Sequence, residues 1–182
     1  MRFCRPVARN PLSTDAIEHL DREIDTALDG GVRKLVFTGT DDVFASGADL
    51  REIAELNDTT ARAFAERGQA LMNKIASLPI PTIAAINGYC FGGGLDLALA
   101  CRYRVASPTA QFSHPGVSLG IITGWGGTQR LPRQIGEAAA LEMLLTAGRF
   151  DAEWARRQGL VHEIADDSLD HAIKFDSETA HV

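Results

Sequence analysis

Residues 87–100 read NGYCFGGGLDLALA, in which three consecutive glycines separate an apolar run from a helix-like run. Glycine loses more backbone freedom on ordering than any other residue, so a glycine triplet weakens an ordinary helix or strand. Directly before a helix, however, the bare backbone lets a ligand approach, and the first N–H groups of the helix point outward unpaired. The segment therefore predicts a strand–turn–helix junction that could hold a carbonyl oxygen as it gains negative charge.

A second junction of the same kind lies at 44–50, which reads FASGADL. Its small side chains let a ligand lie along the backbone, and it also stands between a predicted strand and a predicted helix. Ordinary tight packing explains either junction taken alone. Together they predict two backbone N–H groups aimed at one oxygen, which is what a two-donor oxyanion site requires.

Elsewhere in the chain, predicted strands alternate with predicted helices, which indicates an α/β fold. The predicted strands are 34–38, 82–86, 103–106, 110–113 and 161–164. The predicted helices are 14–28, one that begins near Leu50, 60–77, 95–100, 128–130, 136–147 and 151–159. Residues 39–49 are predicted as a loop. We expect one domain over 1–165, followed by a short polar tail over 166–182.

Composition narrows the classes of protein to consider. The chain has 182 residues, of which 45% are hydrophobic and 23% charged, and this balance is typical of a globular domain. The formal net charge of −6 argues against a nucleic-acid partner. Three cysteines without a metal-binding spacing suit a reducing compartment. No apolar run approaches the roughly 20 residues that a membrane span needs, so we expect a cytoplasmic protein with no membrane partner.

With its motifs in this order, the chain resembles the crotonase, or enoyl-CoA hydratase/isomerase, superfamily. The likeness rests on 44–50, on 84–89 running into the glycine triplet and residues 96–98, and on 124–132, which reads GWGGTQRLP. Several motifs in one order, over almost the whole chain, make it specific. The resemblance implies an α/β spiral of ββα units that binds acyl-CoA thioesters. Against that pattern, the opening strands and the C-terminal helical region are expected to be missing.

The resemblance also implies the residues of the site. The N–H groups of Ala48 and Gly93 would hold the thioester oxygen as it becomes an enolate, and 48–51 would face the adenine and phosphate end of coenzyme A. Residues expected to bind the thioester are Ala45, Gly47, Ala48, Asp49, Leu50, Arg51, Tyr89, Gly92, Gly93, Pro115, Gly116 and Gly124. Coenzyme A is part of the substrate, so no separate cofactor and no metal is expected. Members usually assemble as trimers, so a homotrimer or hexamer is expected if the missing ends are supplied.

The chain departs from this pattern at the acid–base positions. Hydratases of the superfamily usually present two glutamates, and here Asp96 stands at the first position and Gly116 at the second. Hydration needs one group to activate water and another to protonate the α-carbon, and each contributes about 10²–10⁴-fold. Asp96 is therefore predicted to be catalytic. A carboxylate in the first turn of a helix is also favoured electrostatically without any chemistry, which is the alternative interpretation.

Two further side chains are candidates near the missing glutamate. His114 precedes Gly116 by two residues, and an unperturbed imidazole titrates close to neutral pH. A histidine hydrogen-bonded to the backbone is the alternative interpretation of the same residue. Thr123 stands where the superfamily often has proline, and its hydroxyl could hold a water or a carboxylate. Trp125 is expected to pack or to shape the acyl pocket.

These features favour an enoyl-CoA hydratase-like enzyme that stabilises a thioester enolate between two amides. The alternatives are an isomerase or decarboxylase that uses a single acid, a non-catalytic acyl-CoA binder, and a subunit that associates with an intact relative. Among the expected pocket side chains, Tyr89, Phe91 and Leu119 indicate only an apolar preference for the acyl group.

Overall fold

A computed structural model describes residues 1–175 of the chain. Its strands are β1 (Pro11–Leu12), β2 (Leu35–Thr38), β3 (Val43–Ala45), β4 (Gly47–Ala48), β5 (Thr82–Ile86), β6 (Tyr89–Phe91), β7 (Tyr103–Ala106), β8 (Gln111–Ser113), β9 (Phe150–Asp151) and β10 (Glu163–Ile164). Its α-helices are α1 (Thr14–Asp29), α2 (Leu50–Ala54), α3 (Ala61–Ser77), α4 (Gly93–Ala100), α5 (Gly127–Ile135), α6 (Glu137–Thr146), α7 (Ala152–Arg157) and α8 (Ser168–Lys174). Short 3-10 helices cover Pro6–Ala8 and Pro115–Leu119.

Two four-stranded sheets carry the architecture. The first has the order β10-β7-β5-β2 with all neighbours parallel, and the second has the order β3-β6-β8-β9 with β9 antiparallel to β8. Successive pairs β2–β3, β5–β6 and β7–β8 each contribute one strand to each sheet before the chain enters a helix. The predicted α/β spiral of ββα units is therefore confirmed.

Burial explains why the centre of the spiral is so apolar in sequence. Every residue of β5 is buried, as expected for a strand flanked by parallel neighbours and covered on both faces. Every residue of α4 is also buried, Asp96 included, and a helix that is apolar on all sides belongs in a core. The glycine triplet thus leads directly into the most enclosed helix of the described residues.

The outer helices bury only one face. Helix α1 is capped by Ser13, whose side-chain oxygen accepts from the Ala16 N–H group, and it turns Ile17, Leu20 and Ile24 inward. Helix α3 buries Gly68, Leu71, Met72 and Ile75. Each such aliphatic side chain contributes about 1.5–3 kcal/mol when fully buried. The two helices therefore close the outside of the spiral through a continuous apolar layer.

The predicted loop over 39–49 was wrong in part, because it contains β3 and β4. These strands have three and two residues, which is too short for a period-two pattern to appear in sequence. A side chain at Gly39 would lie 1.8 Å from the Val43 carbonyl oxygen, so the chain folds back tightly before β3. In the same way, Tyr89–Phe91 forms β6 and α4 begins at Gly93, two residues earlier than predicted.

Helix α5 is longer than the predicted 128–130, since it runs from Gly127 to Ile135 with Pro132 inside it. Residues 168–174, predicted as part of a polar tail, form α8. This helix packs Ala172 against the first sheet, and the Lys34 ammonium group donates to the carbonyl of Phe175 over 2.9 Å. The rest of the predicted tail, residues 176–182, lies outside the described residues. Within residues 1–175, no helix combines the length and apolarity needed to cross a bilayer.

Candidate active site

The two predicted junctions meet at Gly47 and Gly93. A Cβ atom placed on Gly47 would lie 3.0 Å from the Gly93 nitrogen, and one placed on Gly93 would lie 3.3 Å from the Ala48 nitrogen. Gly47 has a φ of +102°, and Gly92 has a φ of +49°. Because residues with side chains rarely adopt such angles, glycine is needed at both positions. The structure thus brings the backbone nitrogens of Ala48 and Gly93 into the same small region.

Neither N–H group is required by the secondary structure around it. Gly93 is the first residue of α4, so its N–H group lacks an acceptor one turn earlier in the helix. Strand β4 pairs with β1 in the register Pro11↔Gly47 and Leu12↔Ala48. Pro11 has no N–H group, so the backbone hydrogen bonds between these two parallel strands use the N–H and C=O groups of Gly47. They leave the Ala48 N–H group unused. Both amides are therefore available to a ligand.

Trp125 covers one side of this junction. Its side chain is buried, and a Cβ atom on Gly93 would lie 2.5 Å from the six-membered part of the indole ring. Phe64 of α3 packs against the indole with the ring centroids 5.5 Å apart. The aromatic wall explains why Gly93 has no side chain. It also confirms the expectation that Trp125 packs and shapes the cavity.

Asp96 lies in the first turn of α4 and is only 1% exposed. The Thr123 hydroxyl donates to its Oδ2 atom over 2.5 Å. Burial raises the pKa of Asp96 from 3.8 to about 7, against the opposing effects of the Thr123 hydrogen bond, the Trp125 and Gly127 N–H groups and the Arg130 charge. A carboxyl group with this pKa can both accept and release a proton near neutral pH.

His114 follows β8 and is 2% exposed. Its Nε2 atom lies 3.6 Å from the Oδ1 atom of Asp96, which is beyond hydrogen-bond distance. Burial lowers the pKa of His114 to about 4, so the imidazole is neutral at pH 7. The predicted alternative, a histidine held by the backbone, is wrong for the described residues, because neither ring nitrogen has a hydrogen-bond partner there.

Gly116 stands in a closed turn. The Ile121 N–H group donates to the Gly116 carbonyl over 3.0 Å, and a Cβ atom on Gly116 would lie 2.8 Å from the Ile121 carbonyl oxygen. Any side chain here would force the 116–121 segment to shift. The space that a glutamate side chain would need at this position is therefore taken by the protein's own backbone.

These elements enclose a cavity of about 230 Å³ whose wall is mostly apolar. Of the residues singled out from the sequence, those that line it are Gly47, Ala48, Leu50, Gly92, Gly93, Asp96, His114, Pro115, Gly116, Leu119, Thr123, Gly124 and Trp125. Lining residues that the sequence did not single out include Ser46, Ile53, Leu56, Phe64, Ala65, Ile121 and Ile122. Phe64 lies on α3, far from either junction in sequence, so no local pattern could have identified it.

Five predicted residues lie outside this lining, namely Ala45, Asp49, Arg51, Tyr89 and Phe91. Ala45 is fully buried behind Gly94, and Tyr89 packs on Phe91 with ring centroids 5.4 Å apart. The Asp49 carboxylate caps α2 and pairs with Arg51 at 2.8 Å. The Arg51 hydrogen bonds to this carboxylate lower the pKa of Asp49. The predicted contact of these residues with a thioester stays a prediction. Within residues 1–175, no group of three or more metal-ligating side chains could hold a metal ion.

Comparison with known proteins identifies close relatives. A family model described as "Enoyl-CoA hydratase/isomerase" matches residues 1–180. The probable enoyl-CoA hydratase echA8 of Mycobacterium bovis is 41% identical over 173 residues, which cover 92% of this chain and 66% of that protein. The short-chain-enoyl-CoA hydratase of Clostridium acetobutylicum is 38% identical over 166 residues, 90% of this chain and 64% of that protein.

Solved structures give the same result for the fold. Enoyl-CoA hydratase from Bacillus anthracis superposes with a TM-score of 0.88 at 35% identity, covering 95% of this chain and 69% of that one. Enoyl-CoA hydratase from Thermoplasma volcanium superposes with a TM-score of 0.89 at 30% identity, covering 93% of this chain and 68% of that one. The chain spans slightly less than two thirds of the length of the curated relatives named above.

Proposed function

Because the chain belongs to the enoyl-CoA hydratase/isomerase family, we propose that it acts on acyl-CoA thioesters as an enoyl-CoA hydratase-like enzyme. The observation that carries this proposal is the convergence of the Ala48 and Gly93 backbone nitrogens beside one apolar cavity. Two free N–H groups at one point suit an oxygen that becomes negative during the reaction. Coenzyme A enters as part of the substrate, and no separate cofactor is needed.

In the proposed site, the thioester oxygen accepts hydrogen bonds from Ala48 and Gly93. When a nucleophile attacks the β-carbon of an enoyl thioester, electrons move onto this oxygen and form an enolate. Preorganised donors in a cavity with little water stabilise that charge, and removal of one such donor typically costs about 10²–10³-fold in kcat. The apolar wall made by Trp125 and Phe64 lowers the polarity around the enolate and so strengthens these hydrogen bonds.

Asp96 supplies the proton transfers. As a carboxylate it accepts a proton from water while the hydroxide adds to the β-carbon, and as a carboxylic acid it then returns a proton to the α-carbon. The two steps together add one water molecule and restore Asp96. A pKa of about 7 suits both halves of this cycle. His114, which is neutral at pH 7, contributes a hydrogen-bonding group and no charge.

The closed turn at Gly116 favours a second candidate, an isomerase that uses one acid. Here Asp96 would remove a proton from one carbon of the acyl chain and return it to another through the same enolate. Only one carboxyl group is needed for that reaction.

Decarboxylation of a malonyl-type thioester needs the two amides and a single proton donor. A non-catalytic acyl-CoA binder needs the amides alone.

A substrate panel on the purified protein separates these candidates. We expect turnover of 2-enoyl-CoA thioesters, measured beside 3-enoyl and malonyl-type thioesters. Asp96→Asn should lose activity, whereas Asp58→Asn, which changes an exposed aspartate outside the cavity, should keep it. Turnover of 3-enoyl thioesters alone would favour the isomerase. Binding without turnover of any class would contradict an enzymatic role.

Infrared spectroscopy tests the two-amide site without requiring turnover. Butyryl-CoA has no double bond to hydrate, so it can be observed bound. We expect the stretching frequency of its thioester carbonyl to fall on binding, because two N–H donors weaken the C=O bond. Butyryl-CoA bound with its carbonyl frequency unchanged from water would contradict the proposal.

We also propose a cytoplasmic location and a homotrimeric or hexameric assembly. The three free thiols at Cys4, Cys90 and Cys101 suit a reducing compartment. Apolar side chains of α6 and the neighbouring loop are exposed, with Leu145 at 66% and Ile122 at 74%, and such patches favour association. Light scattering on the eluting protein tests the assembly, and a monomer at micromolar concentration would contradict it.

A further inference from the structure

The two oxygens of the Asp96 carboxyl group have different surroundings. Oδ2 accepts the hydrogen bond from Thr123 over 2.5 Å, whereas Oδ1 is buried and has no hydrogen-bond partner within residues 1–175. Asp96 and Thr123 both line the cavity. Thr123 lies in the segment between the Pro115–Leu119 3-10 helix and α5, 27 residues beyond Asp96 in sequence. The segment that closes the cavity thus reaches back to one oxygen of the carboxyl group.

We propose that Thr123 is a positioning residue that holds Oδ2 of Asp96 and leaves Oδ1 as the atom that exchanges a proton with the substrate. This inference rests on the proposed function of the same site. The hydroxyl of Thr123 is the one side-chain donor to Asp96 within the described part of the chain. Without it, Oδ2 would lose its side-chain hydrogen-bond donor.

Other groups that face Asp96 act on it without a side-chain hydrogen bond. His114 packs beside Oδ1 at 3.6 Å, Arg130 of α5 acts through its charge, and the buried Cys90 thiol of β6 also lies near enough to interact electrostatically. The N–H groups of Trp125 and Gly127 approach from the start of α5. Backbone groups are unchanged by a substitution at Thr123, so a variant at this position isolates the hydroxyl.

The hydrogen bond has a directional consequence that can be measured. A donor to a carboxylate stabilises the charged form, so loss of the Thr123 hydroxyl should raise the pH at which Asp96 ionises. A hydrogen bond to a charged group is strong enough to shift such a midpoint upward by about one pH unit or more. Thr123→Val removes the hydroxyl at nearly constant volume. Thr123→Ser retains it and is the matched control.

The experiment is a titration of the Asp96 side-chain carbon by ¹³C NMR in the free protein, with Asp96→Asn to assign the resonance. We expect the midpoint to rise in Thr123→Val and to stay at the wild-type value in Thr123→Ser. Thr123→Ala, which removes the same hydroxyl with less bulk, serves if the valine variant does not fold. An unchanged midpoint in the valine or alanine variant would overturn the proposal, as would an equal rise in the serine variant.

Kinetics then distinguish this inference from the proposed function. On a thioester that the protein converts, we expect Thr123→Val to lower kcat by about tenfold at neutral pH with little change in KM, and Thr123→Ser to recover it. The NMR titration needs no substrate. A shifted midpoint in a protein without turnover would therefore support the role of Thr123 at Asp96 and contradict the enzymatic function. Turnover with an unshifted midpoint would support the enzymatic function and contradict the role of Thr123.

Discussion

The Nε2 atom of His114 lies 3.6 Å from the Oδ1 atom of Asp96, and neither atom has a hydrogen-bond partner within residues 1–175. The pair is not an ion pair at neutral pH, because burial lowers the pKa of His114 to about 4. Burial also raises the pKa of Asp96 to about 7. The proton that exchanges near neutral pH therefore belongs to Asp96. Variants of this residue are the most direct test of the proposed site.

The first prediction concerns the pH dependence of the reaction. If hydration starts from the Asp96 carboxylate, kcat/KM should rise with pH through a midpoint near 7, because the ionised fraction rises there. Asp96→Asn should lower the rate by about 10²–10⁴-fold and remove this midpoint. Initial rates on a 2-enoyl-CoA thioester across the pH range provide the measurement. A wild-type profile that stays flat through neutrality would count against Asp96 as the base.

The second prediction concerns stability. The unfolded chain releases the Asp96 proton near the usual pKa of 3.8, whereas the folded protein retains it up to about 7. Between these pH values the folded state binds more protons than the unfolded chain. The free energy of unfolding therefore falls as pH rises from about 4 to about 7, and Asp96 causes no further change above pH 7. At about 1.4 kcal/mol per pKa unit, the full effect is about 4 kcal/mol.

Urea unfolding of the wild type and Asp96→Asn at several pH values measures this effect. The difference between the two proteins should shift in favour of the asparagine variant as pH rises through that range. The His114 contribution has the opposite sign, but it is present in both proteins and cancels to first order. A difference that does not vary with pH would show that the folded protein does not retain the Asp96 proton.

The third prediction separates hydrogen bonding from charge at His114. Because the imidazole is already neutral at pH 7, its replacement by glutamine keeps a polar side chain without removing a charge. We expect His114→Gln to keep the midpoint of the kcat/KM profile near that of the wild type. His114→Leu, which removes all hydrogen bonding, is the comparison. Loss of the midpoint in the glutamine variant would instead make His114 the titrating group.

The fourth prediction concerns the missing second glutamate. A Cβ atom on Gly116 would lie 2.8 Å from the Ile121 carbonyl oxygen, so Gly116→Ala should lower the free energy of unfolding by about 1–3 kcal/mol through overpacking. We expect Gly116→Glu to show the same loss without a gain in hydration rate. Chemical unfolding and the enoyl-CoA assay measure the two effects. Faster hydration by Gly116→Glu at wild-type stability would indicate that the turn opens to admit a carboxylate.

Local patterns were sufficient for much of the architecture. The alternation of apolar strands with capped helices predicts the α/β class, because burial on one face imposes a period on the sequence. The strands β3, β4 and β6 were not predicted, because each has at most three residues and lies in or beside a glycine-rich stretch that favours a turn. They are strands because neighbours from distant parts of the chain supply their hydrogen bonds.

For the site, the sequence by itself determined the two glycine-rich junctions and the carboxylate at Asp96, because the backbone geometry of a glycine turn and the start of a helix are local properties. Only the tertiary structure decided that Gly47 and Gly93 touch and that Thr123 reaches Asp96. These contacts join segments separated along the chain. Their distances follow from how the sheets and helices pack together, which no short window of sequence contains.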